Sequence, residues 1–121
     1  MMIVDYSLES CLLMKDFLLA HHHNVVAEAS NGIEAIEKYC SEKPDLIFLD
    51  LEMSTLDGLS ILRKIKFQDH TSKIIVITRN DDIKIFEEYT RLGVLAFLTK
   101  PFDLNDVLSA ISFSNEMTAV K

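Results

Sequence analysis

The sequence is short of basic residues and of long apolar runs, and each shortage argues against a class of protein. It contains 12 lysines and arginines against 19 aspartates and glutamates, so its net charge is −7. Nucleic-acid affinity comes mostly from lysine and arginine side chains that neutralise phosphates, so direct DNA or RNA binding is not expected. Charged residues interrupt every apolar run well before it reaches the length of a membrane span, which predicts no membrane segment.

Cysteines are also few: Cys11 and Cys40 lie within helical patterns and lack the spacing of metal ligands. We interpret them as reduced, partly buried thiols of a cytoplasmic protein, because a disulfide would need an oxidising compartment. The first residues enter a strand pattern at once, which leaves no room for a signal peptide. A chain of 121 residues, 49% of them hydrophobic, is expected to form a single domain over residues 1–121.

Short apolar runs alternate with helical patterns along the chain. The runs are Ile3-Val4, Val25 to Ala27, Leu46 to Leu49, Ile74 to Ile77 and Ala96 to Leu98. Uninterrupted runs rich in β-branched residues are typical of strands buried on both faces of a parallel sheet. Repeated βα units predict helices on both faces, and the strand order 2-1-3-4-5 is expected because it places a crevice between the first and third strands. The predicted fold is therefore α/β, a flavodoxin-like doubly wound parallel sheet.

Apolar stripes predict the buried side of each helix. The first helix is expected to bury Leu8, Cys11, Leu12, Phe17, Leu18 and Leu19, and the second Ile33, Ile36, Tyr39 and Cys40. The third should begin at Asp57-Gly58 and bury Leu59, Leu62 and Ile65, with Phe67 as a further candidate. The fourth should begin near Asp81 and Asp82 and end at Gly93. The last should bury Leu104, Val107, Leu108 and Ile111, and the residues beyond Ile111 are expected to form a frayed helix end or a short tail.

Polar residues stand where the predicted strands end. Asp5 follows the first strand, Asp50 the third and Thr78 the fourth, and Thr99-Lys100-Pro101 follows the fifth. Ligands of such sheets bind beyond the carboxyl ends of the strands, so these side chains are expected to meet there. A nucleophilic carboxylate, a second acid, a hydroxyl and an ammonium group together indicate a phosphoryl-acceptor site. The alternative for both aspartates is an ordinary turn-capping role.

These motifs resemble those of the receiver domains of two-component response regulators, over nearly the whole chain. The likeness rests on Ile3-Val4-Asp5, on Asp50-Leu51-Glu52-Met53 followed by Asp57-Gly58, on Thr78, and on Thr99-Lys100-Pro101-Phe102. It implies that Asp50 accepts a phosphoryl group from a phosphohistidine on a sensor histidine kinase or a histidine phosphotransfer protein. It also implies that the Thr78 hydroxyl and the Lys100 ammonium group bind the phosphoryl oxygens.

The same resemblance implies a metal site and an output surface. Asp5 and Asp50 would hold Mg²⁺ together with the backbone carbonyl of Glu52. Phe97 would be the aromatic switch residue, and a downstream protein would bind the surface formed by the fourth helix, the fifth strand and the fifth helix. Only self-phosphotransfer and self-dephosphorylation are expected, so the chain is not predicted to be an enzyme that acts on other molecules.

Two residues beside the expected site depart from the family pattern. Tyr6 stands where family members usually carry a second metal-binding acid, so weak Mg²⁺ binding is expected unless the Glu52 side chain takes part. Arg79 stands where a small residue is usual. Its side chain is expected either to obstruct the pocket or to stabilise the phosphoryl oxygens.

Other functions stay open at this point. One is a phosphorylation-independent scaffold in which Tyr6 and Arg79 form a hydrogen-bonded plug over the metal site. Another is an aspartyl-phosphate phosphohydrolase with Glu52 as its second acid, although no cap segment encloses a substrate. A flavin-binding protein is disfavoured because Asp5 places an anion where a phosphate loop would lie. The run His21-His22-His23 is predicted to be solvated at a helix end and not to bind a metal.

Overall fold

The computed structural model describes residues 1–51, 57–79 and 83–119. In this part of the chain the strands are β1 (Met2–Val4), β2 (Ala27–Ala29), β3 (Ile47–Asp50), β4 (Ile74–Thr78) and β5 (Ala96–Thr99). The helices are α1 (Leu8–Ala20), α2 (Gly32–Glu42), α3 (Asp57–Gln68), α4 (Ile83–Arg91) and α5 (Leu104–Ala119). Glu52, Asp81 and Asp82, for which the sequence predicts roles, lie outside the described residues.

The five strands form one parallel sheet in the order β2-β1-β3-β4-β5. In the register of this sheet Val4 pairs with Leu49, Asp50 with Ile77 and Thr78 with Thr99. The predicted fold class and strand order are therefore confirmed. β2 lies on one side of β1 and β3 on the other, so the order in which strands are added to the sheet changes direction at β1. A crevice opens between β1 and β3, beyond the carboxyl ends of the strands.

Helices cover both faces of the sheet and bury two clusters of apolar side chains. The cluster on the side of α2 and α3 includes strand residues at alternate positions, among them Val4, Leu49 and Val76. The cluster on the side of α1 and α5 includes the intervening positions, among them Ile3, Phe48, Ile77 and Leu98. Strands β1, β3, β4 and β5 thus carry apolar side chains on both faces, which explains their uninterrupted runs in the sequence, whereas the edge strand β2 has Glu28 on one face.

The alternation of side chains assigns the residues at the carboxyl edge to one face or the other. The residues two positions after Ile3, Phe48, Ile77 and Leu98 are Asp5, Asp50, Arg79 and Lys100. These four continue the rows that face α1 and α5. Thr78 continues the opposite row, two positions after Val76. The sheet therefore directs its charged edge residues to one side.

The buried face of α1 differs from the prediction. The helix buries Cys11, Met14, Phe17 and Leu18. Leu8, Leu12 and Leu19, predicted to be buried, are exposed. Leucines surround most of this helix, so several stripes of similar hydrophobicity compete, and only packing against the sheet selects one.

The buried face of α2 is rotated by one residue from the predicted stripe. Ala35 and Tyr39 are buried, whereas Ile33 and Cys40, predicted to be buried, are exposed. Gly32 lies on the same face, and a Cβ placed there would be only 3.3 Å from the Ile61 side chain. Small residues let α2 approach α3 closely, and this contact outweighs the greater hydrophobicity of the isoleucine stripe.

The last helix is longer than predicted. α5 continues to Ala119, so the prediction that it frays beyond Ile111 is wrong. Ser114 is buried, and its carbonyl oxygen accepts a hydrogen bond from Lys73 Nζ at 3.2 Å. This bond joins the helix to the start of β4. Leu104, predicted to be buried, is 53% exposed at the first turn.

Smaller differences concern one strand and the helix ends. β2 lies two residues later than predicted, because Ala27 is the first residue that pairs with β1. α3 begins at Asp57 as predicted, but Phe67, a candidate for its buried side, is exposed near the end of the helix, where it lies away from the sheet. Gly93 after α4 has a positive φ of 99°. Cys11 and Cys40 are both free. Within the described ranges no helix has both the length and the hydrophobicity needed to cross a bilayer.

Candidate functional site

A cleft of about 740 Å³ opens at the carboxyl edge of the sheet, between α1 and the segment that joins β5 to α5. Among the residues that the structure describes, its charged lining includes Asp5, Asp50, Arg79 and Lys100. Its apolar walls include Leu13, Met14, Ile77, Phe102 and Leu104. The structure thus brings together both predicted acids, the predicted ammonium group and Arg79. An apolar cavity with a few convergent charged groups is a typical binding site.

Asp50 is the last residue of β3, and only 1% of it is exposed. Lys100 Nζ lies 2.8 Å from Asp50 Oδ2, close enough for a charge-assisted hydrogen bond. A buried carboxylate is costly unless it is paired, and Lys100 supplies this partner from a position 50 residues later in the chain. Asp50 therefore has a partner that is distant in the chain, which a turn-capping role alone would not require.

Asp5 follows β1 directly and is 8% exposed. Its Oδ1 accepts a hydrogen bond from the Ser7 N–H at 2.9 Å, which is the turn-capping role common for such aspartates. Burial raises the pKa of the Asp5 carboxyl above its ordinary value, and the negative charge of Asp50 adds to this rise, whereas the Ser7 hydrogen bond and Lys100 oppose it. Two acids thus lie close enough for their charges to interact.

Local structure around Ser7 holds Asp5 in place. Ser7 caps the N-terminus of α1, and its hydroxyl accepts from the Ser10 N–H at 3.3 Å. The Asp5 N–H in turn donates to the Ala29 carbonyl at 2.9 Å, which ties the end of β1 to the end of β2. The position of Asp5 therefore depends on both the sheet and the first turn of α1.

Thr78 ends β4 and is 4% exposed. Its carbonyl oxygen accepts a hydrogen bond from the Lys100 N–H at 2.8 Å. This backbone contact continues the pairing of β4 with β5 and fixes the point from which the Lys100 side chain reaches Asp50. Thr78 itself is not among the residues that line the cleft.

Phe97, the predicted switch residue, is partly buried against the cluster on the side of α2 and α3. Its ring centroid lies 4.6 Å from that of Phe86 on α4, with an angle of 35° between the ring planes. Sequence reasoning missed Phe86. The signal available was an aromatic residue within the fourth helical segment, but nothing local to that segment indicates which strand residue it meets.

The two atypical residues have different surroundings. Tyr6 is 58% exposed and does not line the cleft, whereas Arg79 is exposed at the rim and does line it. Glu52 lies outside the described residues. The expected plug made of both Tyr6 and Arg79 therefore has only one of its members at the cleft.

The residues present are compatible with Mg²⁺. Asp5 and Asp50 offer two carboxylates at the same edge, and Mg²⁺ commonly binds through one or two carboxylates, waters and phosphate oxygens. Among the residues that the structure describes, no group of three or more histidine, cysteine, aspartate or glutamate side chains is placed to hold a metal. The carboxylates described at the cleft, Asp5 and Asp50, thus match the number through which Mg²⁺ commonly binds.

Comparison with known proteins agrees with the fold and the site. Residues 1–112 match the family model of the response regulator receiver domain, and the chain belongs to this family. It is 35% identical to the chemotaxis protein CheY of Bacillus subtilis over 92% of each chain. It is 32% identical to sporulation initiation phosphotransferase F of the same species, over 69% of this chain and 68% of that protein.

Solved structures show the same architecture. The crystal structure of the CheX-CheY-BeF₃-Mg²⁺ complex from Borrelia burgdorferi matches with a TM-score of 0.87 and 26% identity, over 99% of this chain and 88% of the other. The resemblance to receiver domains is therefore confirmed. Receiver domains generally bind Mg²⁺, and that structural neighbour contains the ion.

Proposed function

We propose that this protein is a phosphoacceptor domain that receives a phosphoryl group on Asp50 and signals by altered protein binding. The observation that supports the proposal best is the buried Asp50 carboxylate, held at 2.8 Å by Lys100 in a cleft that also contains Asp5. The donor would be a phosphohistidine of a sensor histidine kinase or a histidine phosphotransfer protein. The likeness to chemotaxis and sporulation phosphotransfer proteins supports this class of partner.

The proposed reaction needs little from the protein except positioning and charge. A carboxylate oxygen of Asp50 attacks the phosphorus atom of the donor, and the phosphorus–nitrogen bond breaks. The released imidazole nitrogen keeps the electron pair and takes up a proton from solvent. Lys100 already contacts the attacking carboxylate and would neutralise charge on the phosphoryl oxygens as they arrive.

Asp5 and Asp50 would hold Mg²⁺, which when bound neutralises phosphoryl charge and orients the oxygens around phosphorus. Asp5 is held ready for this role by the Ser7 N–H and by burial. Because the exposed Tyr6 adds no anionic ligand at the cleft, we propose that the protein binds Mg²⁺ weakly. We do not propose that the protein acts as an enzyme on other molecules. Its cytoplasmic location stays a prediction.

A phosphorylation-independent scaffold is the second candidate. Arg79 at the cleft favours it, since a fixed cation near Asp50 is able to hold an active-like arrangement without phosphate. Tyr6 disfavours it, because its side chain lies outside the cleft.

Incubation with phosphoramidate, a small donor with a phosphorus–nitrogen bond, tests the leading proposal without knowledge of the kinase. We expect mass spectrometry to show one added phosphoryl group on the natural protein, stable in acid and labile in base, as acyl phosphates are. Asp50→Ala should abolish the adduct, and Asp16→Ala, at an exposed position of α1, should retain it. An adduct that persists in Asp50→Ala, or that maps to serine or threonine, would refute the assignment.

A further inference from the structure

Among the residues that the structure describes at the cleft, two are carboxylates, Asp5 and Asp50, and two are cations, Lys100 and Arg79. An acyl phosphate brings roughly one further negative charge relative to the carboxylate it replaces. Arg79 therefore supplies a second cation, besides Lys100, on the side of the cleft where a phosphoryl group would add negative charge.

The pairing of β3 with β4 places Arg79 near the end of β3 that carries Asp50. Ile77 pairs directly with Asp50, and Arg79 follows Ile77 by two positions. Arg79 lies at a bend directly after β4, and both Ile77 and Arg79 line the cleft. Thr78, between them, belongs to the opposite row. Arg79 therefore joins the lining of the cleft from the end of β4, while Lys100 contacts Asp50 from the end of β5.

We infer that Arg79 is a phosphoryl-binding residue that lets this protein hold a phosphoryl group on Asp50 at low Mg²⁺ concentration. The inference rests on the proposed function of Asp50. The chemistry of the side chain supports it, because a guanidinium presents several N–H donors in a planar fork that matches two phosphoryl oxygens. The exposed position of Arg79 at the rim gives its long side chain access to a group that projects from Asp50 into the cleft.

Arg79 should have opposite effects on the metal alone and on the phosphoryl group. Its positive charge repels a divalent cation from Asp5 and Asp50, but it attracts a phosphoryl oxygen. Removal of the guanidinium should therefore tighten Mg²⁺ binding in the absence of an anion and weaken binding of a phosphoryl mimic. If Arg79 only obstructed the cleft, its truncation would strengthen both the binding of Mg²⁺ and the binding of the phosphoryl mimic.

Beryllofluoride, a phosphoryl mimic, and Mg²⁺ are suitable probes for the natural protein, Arg79→Ala, Arg79→Lys and Arg63→Ala. Arg63 is an exposed arginine of α3 outside the cleft and serves as the matched control. Fluorine NMR would follow bound beryllofluoride over a Mg²⁺ series that starts with chelator, and amide NMR would follow Mg²⁺ alone. Thermal unfolding would confirm that each variant is folded.

We expect Arg79→Ala to raise the Mg²⁺ concentration at which beryllofluoride half-saturates the protein by about tenfold, the effect of one lost charge-assisted hydrogen bond. The same variant should bind Mg²⁺ alone more tightly. Arg79→Lys should need a Mg²⁺ concentration between those of the natural protein and Arg79→Ala, since lysine keeps the positive charge but lacks the planar pair of N–H donors. Arg63→Ala should match the natural protein.

Unchanged or stronger binding of the mimic by Arg79→Ala at low Mg²⁺ would overturn the inference and leave Asp50 as acceptor. Failure of the natural protein to bind beryllofluoride or to accept phosphoramidate at saturating Mg²⁺ would instead overturn the proposed function, and the inference with it.

Discussion

At the scale of single residues, Tyr6 and Arg79 distinguish this site from the usual pattern of the family. Tyr6 follows Asp5 in the chain, yet it is 58% exposed and lies outside the cleft. Asp5 points the other way, buried beside Asp50, and burial raises its pKa. The acidic lining is therefore limited to two carboxylates among the residues described at the cleft.

We predict that Tyr6→Asp tightens Mg²⁺ binding by roughly tenfold, because it adds a carboxylate next to Asp5. Amide NMR during a Mg²⁺ titration would measure the affinity. Tyr6→Phe is the matched control, since it removes the hydroxyl without adding charge, and it should bind Mg²⁺ as the natural protein does. An unchanged affinity in Tyr6→Asp would mean that another group, such as Glu52, already completes the ligand set.

At the scale of elements, the turn after α4 connects the site to the rest of the fold. α4 ends at Arg91, and Gly93 then turns the chain into β5 with a φ of 99°, in the left-handed region that side chains disfavour. A Cβ at Gly93 would lie only 2.8 Å from Cε of Lys66 on α3. The backbone conformation thus favours glycine at this turn, and a side chain there would also displace the flexible end of Lys66. The turn sets the start of the strand that leads to Lys100.

We predict that Gly93→Ala lowers the free energy of unfolding by about 1–2 kcal/mol, because alanine is strained at this φ and collides with Lys66. Urea unfolding of Gly93→Ala, Lys66→Ala and the double variant would separate the two causes. The double variant should be less destabilised than the sum of the single changes, since Lys66→Ala removes the collision but not the backbone strain. A neutral Gly93→Ala would contradict both explanations, and strict additivity would contradict the collision.

At the scale of the whole molecule, the charged site and the two predicted switch residues, Thr78 and Phe97, belong to opposite rows of the same strands. Asp50 and Lys100 face α1 and α5, whereas Thr78 belongs to the row shared with Val76, on the side of α2 and α3. Phe97 packs on that second side, against Phe86 of α4. A phosphoryl group that draws the Thr78 hydroxyl across the sheet edge would therefore alter the surroundings of Phe97.

We predict that beryllofluoride shifts the amide resonances of α4, β5 and the first part of α5, up to Ile111, as well as those near Asp50. A ligand changes such an equilibrium only by its different affinity for the two arrangements, so the shift depends on Thr78 contacting the bound group. Thr78→Ala should still bind the mimic but lose the distant shifts, and Asp50→Asn should lose all of them. Shifts confined to the neighbourhood of Asp50 in the natural protein would favour the phosphorylation-independent scaffold.

The sequence alone was sufficient for the strand order, the alternation of elements and the membership of a family. Buried parallel strands are apolar on both faces, so runs such as Ile74 to Ile77 identify themselves without knowledge of their neighbours. The polar residues that end the runs could be identified from the same pattern, since ligands of a parallel sheet bind beyond the carboxyl ends of its strands. Asp5, Asp50 and Lys100 were found in this way, and the structure places them in one cleft. Their roles stay predictions.

The tertiary structure decided which side of each helix is buried and which rim residues reach the cleft. Leucines on several sides of α1 made its stripe ambiguous, and the close approach of α2 to α3 through Gly32 and Ala35 overrode the more hydrophobic Ile33 stripe. Tyr6 and Arg79 each follow a strand end, yet only Arg79 lines the cleft. The direction of such side chains depends on neighbouring strands and on the helix packed beside them. These are contacts between distant parts of the chain, so they leave no local sequence pattern.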